Sequence, residues 1–286
     1  MGKLVPIFVL LGTSVLWGAS WLPLKALNTQ GANGLALIAC AYALLAVLVL
    51  PWLWRQRKSA VDLKWLFAIA LFGGAANVCF SYAIIYGDVV RVMVLFYLLP
   101  AWGVLGGYFI LKEPTQGYRW CGVIMALAGA FIILGGPKIF SQPFNYLDFI
   151  AIAAGLLFTA SNLVFRGVTQ VSLAPKLFAL FIGSSLMALF LLPAGQSWAN
   201  ESFPLGWVVL YACTWLLIAN WGSLWAITQM PAGRAAIILI MELITAVITQ
   251  VIFTHHTLHL YEWIGGGLIL AAALLEVKAA QQAEPL

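Results

Sequence analysis

AIIYGDVVRVMVLFYLLPAWGVLGGYFILKEPTQGYRWCGVIM, residues 83–125, is written a second time in this chain. Displaced by 143 positions (234 − 91 = 143), it lies without a gap on residues 226–268, AITQMPAGRAAIILIMELITAVITQVIFTHHTLHLYEWIGGGL. Arg91 falls on Arg234, Trp120 on Trp263 and Gly122 on Gly265. Each copy has a short polar break, an Arg, a long apolar run, a polar turn, a Trp and a Gly-rich apolar run. A period of half the chain length means two copies of one unit. Outside the stretch, Ser20 and Lys25 match Ser161 and Arg166 at an offset of 141 (161 − 20 = 141), and Pro51 matches Pro193 at 142 (193 − 51 = 142).

With 64% hydrophobic residues, 8% charged residues and a mean hydropathy of +1.01, the chain has too little polar surface to be wetted as a soluble globule. It reads as an integral membrane protein. The apolar runs are long and unbroken, unlike the short alternating segments of a membrane barrel, so the class is all-α. Ten spans are expected: 4–26, 34–54, 64–86, 89–111, 117–136, 146–166, 174–194, 206–228, 231–254 and 260–278. The first run is too long for a signal peptide and leads to Lys25 without a small-residue cleavage site. Cys40, Cys79, Cys121 and Cys213 lie inside apolar runs, which indicates neither disulfides nor a metal cluster.

The basic excess is topological and does not point to nucleic acid. With a cytoplasmic N-terminus, Lys3, Arg55, Arg57, Lys58, Lys64, Lys112, Arg119, Arg166, Lys176, Arg234 and Lys278 face inside, against Lys25, Arg91 and Lys138 outside. Both termini are therefore expected in the cytoplasm. Five spans per half is an odd number, so the second copy, 141–286, enters inverted relative to the first, 1–140. Ten helices in two inverted five-helix repeats around a central cavity is the plan of a secondary transporter, with the substrate near the midplane.

Ionisable groups at membrane depth are the first candidates for function. Glu242 lies in the ninth span with Arg234, Ile238, Thr245 and Thr249 on about one helical face. It could meet a substrate amino group or a proton; a carboxylate bonded to nearby Thr or Asn for packing is the structural alternative. Trp17, Trp21 and Lys25 share one face of the first helix, where a cation beside two indoles could hold a carboxylate. Snorkelling to headgroups explains Lys25 as simply. Arg91 and Arg234 sit near helix N-termini, where the dipole disfavours a cation. They are read as symmetric gating charges, with headgroup contact, or for Arg91 a pair with Asp88, as the alternative.

Trp52, Trp54, Trp65, Trp120, Tyr146, Trp198, Trp207 and Trp263 fall at span ends and fit an interfacial belt. Trp17, Phe96, Tyr97, Trp102, Trp215 and Trp221 lie deeper. With Asn77, Ser81 and Tyr82 on the third span and Asn162 on the sixth, they could line a pocket for a small amphipathic solute, although ordinary helix packing accounts for any single ring. Gly103 and Gly107, and the run Gly265 to Gly267, fit close helix approach, and Gly135 and Gly136 a helix end. The group His255, His256 and His259 is shallow and lacks a carboxylate, so no metal or cofactor is expected. The Asn200-Glu201-Ser202 sequon matters only in a glycosylating host.

WGASWLPLK at 17–25 and LKEPTQGYRWCGVIMALAGAFIIL at 111–134, set in ten spans and two inverted halves, resemble the drug/metabolite transporter superfamily, and within it the ten-span EamA branch of bacterial inner-membrane exporters. The resemblance rests on Trp17 with Gly18, Pro100, Glu113, Gly122, Glu242 and Gly265. The chain departs from the pattern at His256, where a second Glu is usual, and at Leu243, where Pro often follows the acidic residue. The resemblance implies that the first, third, fourth, sixth, eighth and ninth spans line the cavity. The mid-depth aromatics resemble YddG-type aromatic amino-acid exporters. Trp17, Trp21, Tyr82, Tyr97 and Trp102 would then form an aromatic wall, Lys25 would face the carboxylate and Glu242 the ammonium. Glu242 leaves proton coupling and facilitated diffusion both open.

Two other functional classes make different demands on the sequence. An intramembrane enzyme would need paired Asp residues, a nucleophile with its base, or an HExxH motif within the spans, and none is written. A lipid flippase would suit a sideways-opening, wholly apolar groove. Within transporters, threonine, cysteine or nucleobase-like solutes compete with aromatic amino acids.

Overall fold

Backbone groups in hydrocarbon must find partners within their own segment, and the described residues of this computed structural model are helical with no strand. They are 4–31, 33–55, 62–112, 117–133, 135–137, 143–192, 204–254 and 259–282. The helices are α1 (Leu4–Gly18), α2 (Trp21–Thr29), α3 (Gly34–Arg55), α4 (Leu63–Tyr86), α5 (Val89–Phe96), α6 (Leu99–Phe109), α7 (Gly117–Ile133), α8 (Tyr146–Gly167), α9 (Leu173–Leu191), α10 (Leu205–Leu210), α11 (Leu217–Thr228), α12 (Ala232–Leu239), α13 (Met241–Thr254) and α14 (Leu260–Gln282). Eight stretches are long and apolar enough to cross a membrane, and the shorter apolar helices Trp120–Ile133 and Trp263–Ala272 bring the spans to ten.

Three of the ten expected spans are not continuous. The first breaks at Ala19 and Ser20, because Pro23 has no N–H to offer the Ala19 carbonyl; the Leu22 amide takes it instead at 3.1 Å. The fourth breaks at Tyr97 and Leu98, before Pro100. The ninth breaks at Ile240, the repeat mate of Tyr97, although Leu243 stands where the first half has Pro100. Here the Leu243 amide tightens onto the Ile240 carbonyl at 3.0 Å. The break belongs to the fold, with or without its proline. The eighth span carries a π-helical segment, Tyr211–Leu216, between α10 and α11.

Between apolar helices in lipid, van der Waals contact takes the place of the hydrophobic effect, so small residues mark the crossings. The repeat is visible in them. A Cβ on Gly129 of α7 would stand 2.6 Å from the Gly265 carbonyl of α14, and one on Gly265 would stand 2.5 Å from the Gly129 carbonyl. α4 and α9 cross at Gly74 and Gly183, where a Cβ on Gly74 would come within 2.6 Å of the Gly183 backbone. Gly103 lies against Ala236 across the fourth and ninth spans. The fifth span ends as expected: α7 stops at Ile133, and Gly135 and Gly136 take φ of 81° and 60°.

Glu113, His255, His256, Lys138 and the sequon lie outside the described residues. His259, just beyond, stacks on Tyr261 at 5.2 Å. All four cysteines are free.

Candidate functional site

The breaks in the fourth and ninth spans face each other. Tyr97, buried at the first, donates its hydroxyl to the carboxylate of Glu242, buried in the first turn of α13. The carboxylate therefore lies at a helix N-terminus, where free amides and the helix dipole favour a negative charge. Its partner is a phenol, not the Thr or Asn expected on packing grounds. The break at Ile240 also separates Arg234 and Ile238, on α12, from Glu242, Thr245 and Thr249, on α13. Beside the pair, the Phe96 ring meets Phe80 at 4.6 Å, Tyr97 at 5.2 Å and Phe158 at 5.6 Å. Gly18 admits α1 to this point, because a Cβ there would run into the Glu242 carbonyl.

Phe158 leads from this aromatic cluster to a polar one. A void of about 10 Å³ is lined by Trp17, Asn77, Phe158, Ser161, Asn162, Asn220 and Ser223 among others. A second, of about 20 Å³, runs from Asn162 and Thr159 to Leu99, Gly103 and Ala236. The expected central cavity is thus contracted almost to nothing. Its lining comes from the six spans anticipated, with Leu180 of α9 added. Asn77 and Asn220 are repeat mates (220 − 77 = 143) and are both buried. Asn77 donates to Ser184 Oγ of α9 at 3.0 Å, while Asn220 donates to the Leu216 carbonyl one turn back at 2.8 Å. Asn162 Oδ1 is buried without a hydrogen-bond partner, as are the hydroxyls of Ser14 and Ser20 and the indole nitrogen of Trp102.

Two cations close opposite ends of the bundle in equivalent ways. At the distal end, away from the N-terminus, Lys25 Nζ approaches the Gly87 carbonyl past α4 at 3.4 Å. At the terminal end, its mate Arg166 donates to the Thr228 carbonyl that ends α11 at 3.2 Å. Each places positive charge at a helix C-terminus, where the dipole favours it. Arg91 adds a third tie: Nε and an Nη donate to the two oxygens of Asp148, each at 2.7 Å, and pin α5 to α8 at the distal end. Asp148 also accepts from the Asn145 amide in a capping box. Asp88 takes only the Arg91 backbone amide, as N-cap. At the terminal end the mate of Asp148 is Ile7 (148 − 141 = 7), so the same pair is not written there, and Arg234 sits half-buried in the first turn of α12.

Several expected site residues stand elsewhere. The break at Ala19 and Ser20 splits the face proposed for Trp17, Trp21 and Lys25. Trp17 lines the void, Trp21 Nε1 donates to Thr249 Oγ1 at 3.0 Å, and Lys25 lies at the clamp, away from any indole stack. Trp215 donates to the Leu16 carbonyl that the break frees. Trp221 is 38% exposed and stacks on Trp52 at 3.9 Å, so it faces away from the voids. Tyr82 lines a separate distal groove with Tyr86 and Tyr146. Ser81 is buried one turn beyond Asn77, and Trp102 is half-buried in α6. Neither lines the voids. Asn220, Ser223, Phe80 and Phe158 are not among the residues expected from sequence, although the offset of 143 leads from Asn77 to Asn220; Ser161 is the residue already matched to Ser20.

The EamA-like transporter family matches residues 4–135 and 146–277, which covers both halves. The chain belongs to that family. Among curated proteins, none matches it in sequence. A solved crystal structure 16% identical to it superposes with a TM-score of 0.73 over 96% of this chain and 99% of the other, a likeness of fold. The protein is therefore a multi-pass membrane transporter of the drug/metabolite type, acting on a small-molecule substrate within a lipid bilayer. In an EamA-like transporter of this shape, inverted halves meet at Tyr97 and Glu242 and enclose a nearly closed polar centre.

Proposed function

We propose that this EamA-like transporter exports small neutral or zwitterionic metabolites, aromatic amino acids foremost, across the bacterial inner membrane by alternating access. Halves 1–140 and 141–286 rock about the Tyr97–Glu242 contact, with both termini cytoplasmic. The supporting observation is the chemistry of the two voids: their lining offers three carboxamides, the hydroxyls of Thr159, Ser161 and Ser223, and the rings of Trp17 and Phe158, with no ionisable side chain among the described residues. Carboxamides both donate and accept, so they satisfy a carboxylate and an ammonium without a net charge of their own. Trp17 and Phe158 supply an aromatic body. Lys25 and Glu242 already have protein partners, and recognition of the two charged ends falls to Asn77, Asn162 and Asn220. Voids this small hold no solute, so the site forms when one end parts.

The test is counterflow in proteoliposomes preloaded with phenylalanine, threonine, cysteine or a nucleobase, following entry of labelled phenylalanine without an ion gradient. Acceleration by internal phenylalanine above the others supports the reading; acceleration only by polar solutes replaces it with a polar-metabolite exporter. One observation favours a lipid flippase: an apolar groove of about 1130 Å³ lies between α3, α4 and α9, lined by Trp54, Phe67 and Phe178 among others. The Gly74–Gly183 crossing and Leu180 stand between it and the carboxamides. Translocation of a labelled phospholipid in the same vesicles, without solute counterflow, would put that reading first.

A further inference from the structure

The distal groove around Tyr82 has a build that packing does not require. It has a volume of about 380 Å³, within the range of small-molecule pockets, and runs between the distal ends of α3, α4, α8 and α9. Asn33, Tyr82, Tyr86 and Tyr146 supply its polar groups, and Cys79 opens onto it from α4. The Tyr82 and Tyr86 rings meet at 4.7 Å with a tilt of 50°, and Tyr146 of α8 lines the groove with them. Among the described residues, no lysine, arginine, aspartate or glutamate lines it.

Tyrosines gather at any membrane interface, so their presence alone means little. The inverted repeat supplies the control. The mates of Tyr82 and Tyr86 at the terminal end are Trp225 and Gln229 (225 − 82 = 143), and the mates of Tyr146 and Ile150 are Val5 and Val9 (146 − 5 = 141). The tyrosine set is thus particular to the distal end and does not follow from the repeat. Position is the second argument. Val78 and Cys79 follow Asn77 directly on α4, and Tyr146 and Ile150 precede Phe158 and Ser161 on α8. The groove and the polar centre share one α4–α8 seam, and a solute released by parting that seam passes from the carboxamides to the tyrosines.

We propose that this groove is a second, distal binding site for a small aromatic solute with an uncharged or zwitterionic polar end, the last station before release. The assignment of the solute rests on the reading given under Proposed function; the groove itself does not. Rings stack against Tyr82 and Tyr86, while the hydroxyls and Asn33 meet the polar end.

Cys79 provides the probe. In a full-length protein with Cys40, Cys121 and Cys213 replaced by Ala, the rate of alkylation of Cys79 by a small maleimide is measured with phenylalanine, threonine or no solute. Phenylalanine is expected to slow the reaction several-fold and threonine to leave it unchanged. Replacing Tyr82 and Tyr146 together by Leu is expected to abolish the protection. Absence of protection while phenylalanine counterflow proceeds would overturn the groove and leave the transport reading standing. Protection that survives the double replacement would also overturn it, since the effect would then arise elsewhere. Protection without aromatic counterflow keeps the groove and removes aromatic transport.

Discussion

The Tyr97 hydroxyl donates to the Glu242 carboxylate and joins the break in the fourth span to the equivalent break in the ninth. Tyr97 ends a half-helix from the first repeat, and Glu242 opens one in the second. This buried polar contact, one of several between the halves, sits where the two breaks meet, beside the aromatic cluster around Phe96. Any rearrangement of one half against the other has to turn about this pair or part it.

Removing the phenol hydroxyl leaves a buried carboxylate without its donor. Tyr97→Phe is expected to destabilise the protein by about 1–3 kcal/mol, read as a lower thermal midpoint in detergent, and to slow counterflow. Glu242→Gln keeps an acceptor and should cost less. In a double-mutant cycle, Tyr97→Phe with Glu242→Leu should recover part of the loss; simple additivity would show that the two side chains do not act as a pair.

Gly18 and Gly12 stand on one helix in opposite circumstances. A Cβ at position 18 meets the Glu242 carbonyl and Thr245, whereas a Cβ at position 12 meets nothing within 4 Å. Gly18→Ala is expected to cost about 1–3 kcal/mol through overpacking and to reduce transport at least several-fold. Gly12→Ala should be neutral or slightly stabilising, since it removes only chain entropy from the unfolded state. Equal thermal midpoints for the two variants would mean that α1 does not approach α13 this closely.

Lys25 and Arg166 close opposite ends, so their loss should have opposite effects. With a Ser161→Cys reporter at the centre, Lys25→Met is expected to raise labelling by an impermeant thiol reagent added from the distal side. Arg166→Met should raise it from the terminal side. Labelling that rises from the same side in both variants would refute the paired clamps.

Asp148 is 1% exposed and bound to Arg91 through both oxygens. Arg91→Met strands that carboxylate, with an expected cost of about 3–5 kcal/mol. Asp148→Asn leaves an uncharged amide and an arginine close enough to the surface to reach water, and should cost clearly less. Chemical or thermal unfolding in detergent separates the two; the reverse order would place the burden on the arginine.

The fold was legible because its causes are local. Apolar run length sets the number of spans, the Lys and Arg pattern sets an expected orientation, and the offset of 143 reveals the repeat, each readable without knowing what touches what. Pro23 and Pro100 even mark two of the three breaks. The third, at Ile240, has no proline and emerges only from its symmetry with Tyr97. Site chemistry was less legible, because a helical wheel assumes a continuous helix. The breaks put Trp21 and Lys25 on a different helix from Trp17, and Arg234 on a different helix from Glu242.

By itself, then, the sequence determined an all-α membrane protein of ten spans in two inverted halves, since hydropathy, charge and repetition act along the chain. Only the tertiary structure decided that Glu242 answers to Tyr97, that Lys25 and Arg166 are equivalent clamps, and that Asn77, Asn162 and Asn220 converge while Trp221 faces outward. Those facts depend on which helices cross and where their backbones bend. A bend of one residue redirects every side chain beyond it.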